Sequence, residues 1–234
     1  MNLIVISELF PPEETSTAYI MGEITKTLSD KYNVTIVCGP EVYDQNKLTV
    51  LPKSSLIAGV TTIRVKGIKE NKANKLSRIR KFLLMSWRLY KASKKVINKG
   101  DKVLLVSNPF PLLILMAFHR KKMDYEISFL AHDLFPEPLL MRFKLPNLVY
   151  RQCLNIFNRS YARMDKIISL GRDMTDVLRE KTMPYNPNLE IIQIENWGDI
   201  NSIYPMDTHS DSDKITIESV SYTHLRAHET CADL

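Results

Sequence analysis

Residues 1–38, MNLIVISELFPPEETSTAYIMGEITKTLSDKYNVTIVC, decide the fold. The run Asn2–Ser7 is short, apolar and partly β-branched, as expected of a strand buried in a sheet. Glu8 and the prolines Pro11 and Pro12 end it. Thr15, Ser16 and Thr17 each carry a side-chain oxygen that can cap a helix, and residues 17–31 read as that helix. Asn33–Cys38 is a second strand. A strand, a capped helix and a strand in this space form a βαβ unit, which requires parallel pairing.

The same alternation runs outward to residue 193. Strands are expected at 61–65, Lys102–Val106, Glu126–Ala131, Lys166–Ser169 and Glu190–Gln193, and helices at 73–98, Pro111–Arg120, 145–163 and 172–181. Residues 45–59 show no period and read as loop. The class is α/β, a Rossmann-like doubly wound parallel sheet with helices on both faces. Right-handed crossovers bring the carboxyl ends of the strands to one rim, where ligands are expected.

Composition narrows the options. Of 234 residues, 44% are hydrophobic and 25% charged, so disorder and a disulfide scaffold are excluded. Cys38, Cys153 and Cys231 lack metal or redox spacing and suit a reducing compartment. The first seven residues lack the basic start of a signal peptide, and the stretch 103–118 is broken by Asn108, Pro109 and Pro111, so no transmembrane segment is expected and a cytoplasmic location is. The net charge is +6, yet residues 72–102 alone hold eleven Lys or Arg against one acid, Asp101. In this basic helix (73–98) Leu76, Ile79, Leu83, Trp87 and Tyr90 form an apolar stripe that Phe82, Met85 and Leu89 widen, and one face must pack on the sheet. The surplus suits either a solvated basic helix or one lying on an anionic membrane at its inner face. No nucleic-acid signature accompanies the charge, so nucleic acid is not an expected partner.

Three clusters could carry chemistry. The loop Pro12, Glu13, Glu14, Thr15, Ser16 and Thr17 leads into a helix whose free N–H groups attract phosphate; an ordinary capped loop is the alternative. His132 and Asp133 follow the fifth strand onto the rim as a proton-handling pair, or as a loop histidine beside a cap. Gly171 eases a strand-to-helix turn, and Arg172 there could hold an anion. Asn196 and Asp199 follow the last strand, and Trp197 could pack beneath the linker. The pair Asp211 and Asp213 matches a metal-binding spacing but lies in the polar linker, and His224 and His228 lack a third ligand; neither is expected to bind metal.

In order, residues 1–39, FLAHDLFPE (129–137), KIISLGRDMTDVLREK (166–181) and IIQIENWGDINSIYP (191–205) resemble the N-terminal domain of family 4 glycosyltransferases of the GT-B fold. The Trp after Asn196, together with DLFPE (133–137), is similar to transferases that build bacterial exopolysaccharide, capsule and O-antigen. It implies two Rossmann-like domains, the N-terminal one binding a lipid-linked or saccharide acceptor and the C-terminal one a nucleotide-sugar donor. It implies retaining transfer with no metal and no cofactor. Under it, the loop 11–17 approaches the donor phosphates and the acceptor. His132 sits by the donor sugar as a catalytic residue with Asp133; Asp133 and Glu137 shape the acceptor side. Gly171, Arg172, Asn196 and Asp199 border the interdomain cleft. Where many relatives place two glycines, Glu14, Thr15 and Ser16 stand, which weakens main-chain phosphate binding there. The implied division is an acceptor-side domain over 1–205, a linker and the start of a second domain over 206–220, and a tail over 221–234 foreign to the fold. On this division the fragment alone is expected to be inactive. The alternative is a non-catalytic Rossmann-like module that pairs with a separate donor subunit.

Overall fold

The computed structural model describes residues 1–13, 15–41, 57–71, 74–137 and 146–198. Glu14, Asp199, the linker pair Asp211 and Asp213, and the tail with His224 and His228 lie outside them.

Seven strands form one wholly parallel sheet: β1 (Asn2–Ser7), β2 (Asn33–Cys38), β3 (Thr61–Arg64), β4 (Lys102–Val106), β5 (Glu126–Ala131), β6 (Lys166–Ser169) and β7 (Glu190–Gln193). Their order is β3-β2-β1-β4-β5-β6-β7. Asn2 lies opposite Asn33 on one side of β1, and Leu3 lies opposite Lys102 on the other. The chain thus builds leftward from β1 and then rightward from it. Right-handed crossovers in opposite directions must use opposite faces of the sheet. The helices do so: α1 (Ser16–Ser29) packs on one face, and α2 (Lys75–Val96), α3 (Pro111–Arg120), α4 (Asn147–Tyr161) and α5 (Arg172–Thr182) pack on the other.

Alternation along the buried strands fills both cores. On β1, Ile4 and Ile6 meet Met85 and Leu89 of α2 and Leu112 of α3, while Leu3 and Val5 meet Met21 of α1. Burial of such side chains contributes about 1.5–3 kcal/mol each. Among the described residues α1 alone shields its face, and the rest of that face is a groove of about 710 Å³ floored by Leu104, Leu130 and Ile168 and bordered by Ile24 and Trp197. Trp197, expected to pack beneath the linker, is 47% exposed on the border of that groove.

Helix α2 packs by one of its apolar faces, a choice the sequence leaves open. The stripe set toward the sheet is Met85 and Leu89, flanked by the partly buried Ala92 and Val96, whereas Leu76, Ile79, Leu83 and Trp87 point outward. Leu76 is 72% exposed and Leu83 55%. The helix is apolar on two opposite faces, and the sheet takes the one that carries Met85 and Leu89.

Candidate functional site

The carboxyl ends of β1, β4, β5 and β6 stand side by side on one edge of the sheet, so the loop after β1 and the His132–Asp133 pair share that edge. The loop is fixed by close packing. Pro11 lies so near Gly22 of α1 that a Cβ there would fall 2.7 Å from the Pro11 ring. The Arg64 guanidinium of β3 donates to the Pro11 carbonyl oxygen and, at 3.4 Å, to that of Gly39. Glu13 N–H closes a turn onto Phe10 O at 3.2 Å. Of the three candidate caps, Thr15 does the work, its Oγ1 accepting from Ala18 N–H at 3.2 Å. Ser16 is exposed, Pro12 and Thr17 are half-buried, and the first turn of α1 holds no acid. That leaves free N–H groups and a positive dipole end at the edge.

His132 and Asp133 are held by a residue that sequence reasoning missed. Ser107, buried at the end of β4, accepts backbone N–H bonds from both His132 and Asp133, each 3.2 Å. Burial lowers the His132 pKa, and the Asp133 charge partly opposes this, so the imidazole is neutral at pH 7. Its Nε2 is buried with no partner among the described residues, while Asp133 is exposed. A neutral imidazole can give or take one hydrogen bond here.

A second missed residue is Glu8. It ends the apolar run of β1, is 2% exposed, and has no hydrogen-bond partner among the described residues for either carboxylate oxygen. Burial raises its pKa to about 7, with Lys81 pulling it down and Glu70 pushing it up. Gly39 N–H donates to the Glu8 carbonyl oxygen at 3.0 Å, an approach so close that a Cβ at Gly39 would collide with that oxygen. The only signal in the sequence is a carboxylate placed directly after a buried strand.

The remaining candidates separate. The segment after Asp133 folds down onto the helix layer: the Phe135 ring stacks on Phe110 at 4.7 Å, and Phe135 N–H donates to the Tyr161 hydroxyl at 3.0 Å. Glu137 is ion-paired with the buried Lys181 near the end of α5, its second oxygen buried without a partner among the described residues. Gly171 and Arg172 do stand at the edge, where Thr175 Oγ1 bonds Ser169 at 2.5 Å and donates to Gly171 O at 2.9 Å. The expected steric role of Gly171 is not needed. Its φ is −162°, open to any residue, and a Cβ would meet nothing. Arg172 is exposed, with Asp173 beside it in the first turn. Asn196 lines the groove on the α1 face. Among the described residues no group of three or more His, Cys, Asp or Glu is placed to hold a metal ion.

No family model matches the chain. In sequence it is similar to a probable glycosyltransferase, WbjE, of Pseudomonas aeruginosa, 24% identical over 210 residues, which are 88% of this chain and 50% of WbjE. In structure it is similar to the N-terminal domain of trehalose-6-phosphate phosphatase from Candida albicans, with TM-score 0.59, 11% identity and 86% of this chain covered against 49% of the other. It is also similar to a trehalose-6-phosphate protein of E. coli bound with UDP-2-fluoro glucose, with TM-score 0.52, 13% identity and coverages of 82% and 48%. The chain spans about half the length of these proteins. It has the fold of the N-terminal domain of a GT-B glycosyltransferase.

Proposed function

We propose that this chain is the acceptor-side half of a retaining, metal-independent glycosyltransferase of family 4, moving a sugar from a nucleotide-sugar to a lipid-linked or saccharide acceptor in cell-surface polysaccharide synthesis. One observation carries the reading: the Thr15-capped start of α1 and the His132–Asp133 pair flank the end of β4 on a single edge. A helix start favours phosphate, and a neutral imidazole on the same edge can bind a sugar hydroxyl. The similarity to WbjE and to a UDP-sugar complex supports the nucleotide-sugar class.

The exposed stripe of α2 supports attachment to an anionic membrane, which is where a lipid-linked acceptor would be met. Trp87 is 46% exposed, Lys91 lies over its ring at 5.4 Å, and Arg80 and Lys94 are exposed on the same side. Each basic residue near such a surface contributes about 1 kcal/mol. Among the described residues no helix is long and apolar enough to cross a membrane.

Displacing a nucleoside diphosphate requires preorganised positive charge on both walls of a closed cleft. The described wall offers the positive end of α1 and the Arg172 guanidinium as charge, with His132 as a neutral hydrogen-bonding group. The test incubates labelled UDP-, GDP- and dTDP-sugars with membrane lipid extract and either the 234-residue chain or a protein of WbjE's full length carrying this domain. Transfer to lipid by the longer protein, abolished by His132→Ala and not seen with the shorter chain, is the expected result. No transfer by the longer protein with any donor refutes the assignment.

A further inference from the structure

Along the carboxyl edge, three buried polar atoms have no partner among the described residues: both carboxylate oxygens of Glu8 and Nε2 of His132. Leaving a buried carboxylate without donors is costly, and such a group in a folded protein needs a cause. Its position suggests one. Glu8 follows β1, and β1 and β4 are the neighbouring strands from which the sheet grows in opposite directions. In an open α/β sheet, ligands enter outside the carboxyl ends at that switch point.

We propose that Glu8 reads a sugar bound at this edge, its carboxylate accepting hydrogen bonds from two neighbouring hydroxyl groups of a saccharide lodged at the carboxyl end of β1. A carboxylate has two acceptor oxygens side by side, and a vicinal diol presents two donors at matching separation. The fold supplies the acceptors and withholds the donors. Because Glu8 is 2% exposed in the unliganded protein, the groups that cover it must part to admit the sugar. The charged groups around it are Lys81 on α2, Glu70 in the β3–α2 connection and, through the Gly39 carbonyl, Arg64 on β3. Lys81 Nζ is 3.0 Å from Glu70, so the cation that acts on Glu8 is already engaged with an anion. Donors from a sugar favour the ionised carboxyl, so binding releases a proton. The inference rests on the reading that a saccharide enters this edge.

The 234-residue chain labelled with [13Cδ]glutamate is titrated by NMR with methyl α-D-glucopyranoside, N-acetyl-D-glucosamine and L-fucose, which differ in hydroxyl configuration. Glu8→Gln assigns the Glu8 signal by its disappearance; if that variant does not fold, Glu8→Asp assigns it instead. At least one sugar is expected to move the Glu8 carboxyl signal and lower its titration midpoint by about one pH unit. Linkage then makes binding about fivefold tighter at pH 8 than at pH 6. Glu8→Gln should bind with little dependence on pH. A sugar that moves the His132 ring signals and leaves Glu8 unchanged overturns the role of Glu8 while the sugar-binding edge stands. If no sugar moves either residue, the saccharide reading of the edge fails, and the role of Glu8 with it.

Discussion

At the scale of single residues, the edge is governed by groups placed against their solvation preference. His132 is kept neutral by burial and pulled back toward charge by Asp133. Asp133→Asn removes the one interaction that favours the imidazolium, so the His132 midpoint, already below its ordinary 6.5, falls further; NMR titration of the ring protons measures it. Glu8 works in the opposite sense. Its carboxyl is held near 7 when folded against an ordinary 4.5, so between those values the folded chain keeps a proton that the unfolded chain has released. Stability from this group is present below about pH 4.5 and is lost as pH rises through 7. Glu8→Gln should therefore raise the melting temperature at pH 8 relative to the native chain by more than at pH 5, on a scale of about 2–4 °C per kcal/mol relieved. Equal shifts at both pH values would show that the buried carboxyl does not ionise on this schedule.

At the scale of elements, α2 presents two apolar stripes with different duties. Met85 and Leu89 are fully buried in the core shared with β1 and α3, and Leu89→Ala should cost about 2–5 kcal/mol in a denaturant melt. Leu83 and Trp87 face away from that core. Replacing both with Glu should leave the melt within about 1 kcal/mol while abolishing sedimentation with vesicles rich in anionic lipid. Loss of stability in place of loss of vesicle binding would mean the outward stripe is buried by the chain itself. The two stripes also explain why the sequence leaves the packing face open. Periodicity reports that a helix has apolar faces, and where two lie opposite each other it is silent on which one the sheet selects.

At the scale of the whole molecule, the strands were legible because each buried parallel strand is a compact apolar run bounded by polar residues. Six of the seven match their expected limits, and β3 differs only by ending at Arg64. The His132–Asp133 pair was legible for the same reason, since a strand ending at Ala131 has to deliver the next two residues to the rim. Ser107 and Glu8 were not. Their importance arises from residues brought beside them by folding: Ser107 acts on backbone 25 and 26 positions away, and Glu8 sits against Gly39 from the next strand. Gly171 was overread for the converse reason, since a glycine between strand and helix suggests a strained turn that the extended backbone here does not contain.

The placement of β1 between β2 and β4 has a consequence for how the chain is made. Leu3 pairs with Lys102 and Ile6 with Leu105, so β1, synthesised before both of its neighbours, has a neighbour on only one side until the ribosome has delivered about a hundred further residues. At about 5–20 residues per second that interval is roughly 5–20 s. For that time the nascent protein carries a bare, apolar strand edge, the state in which a chain is most open to capture by a chaperone or to pairing with the wrong partner.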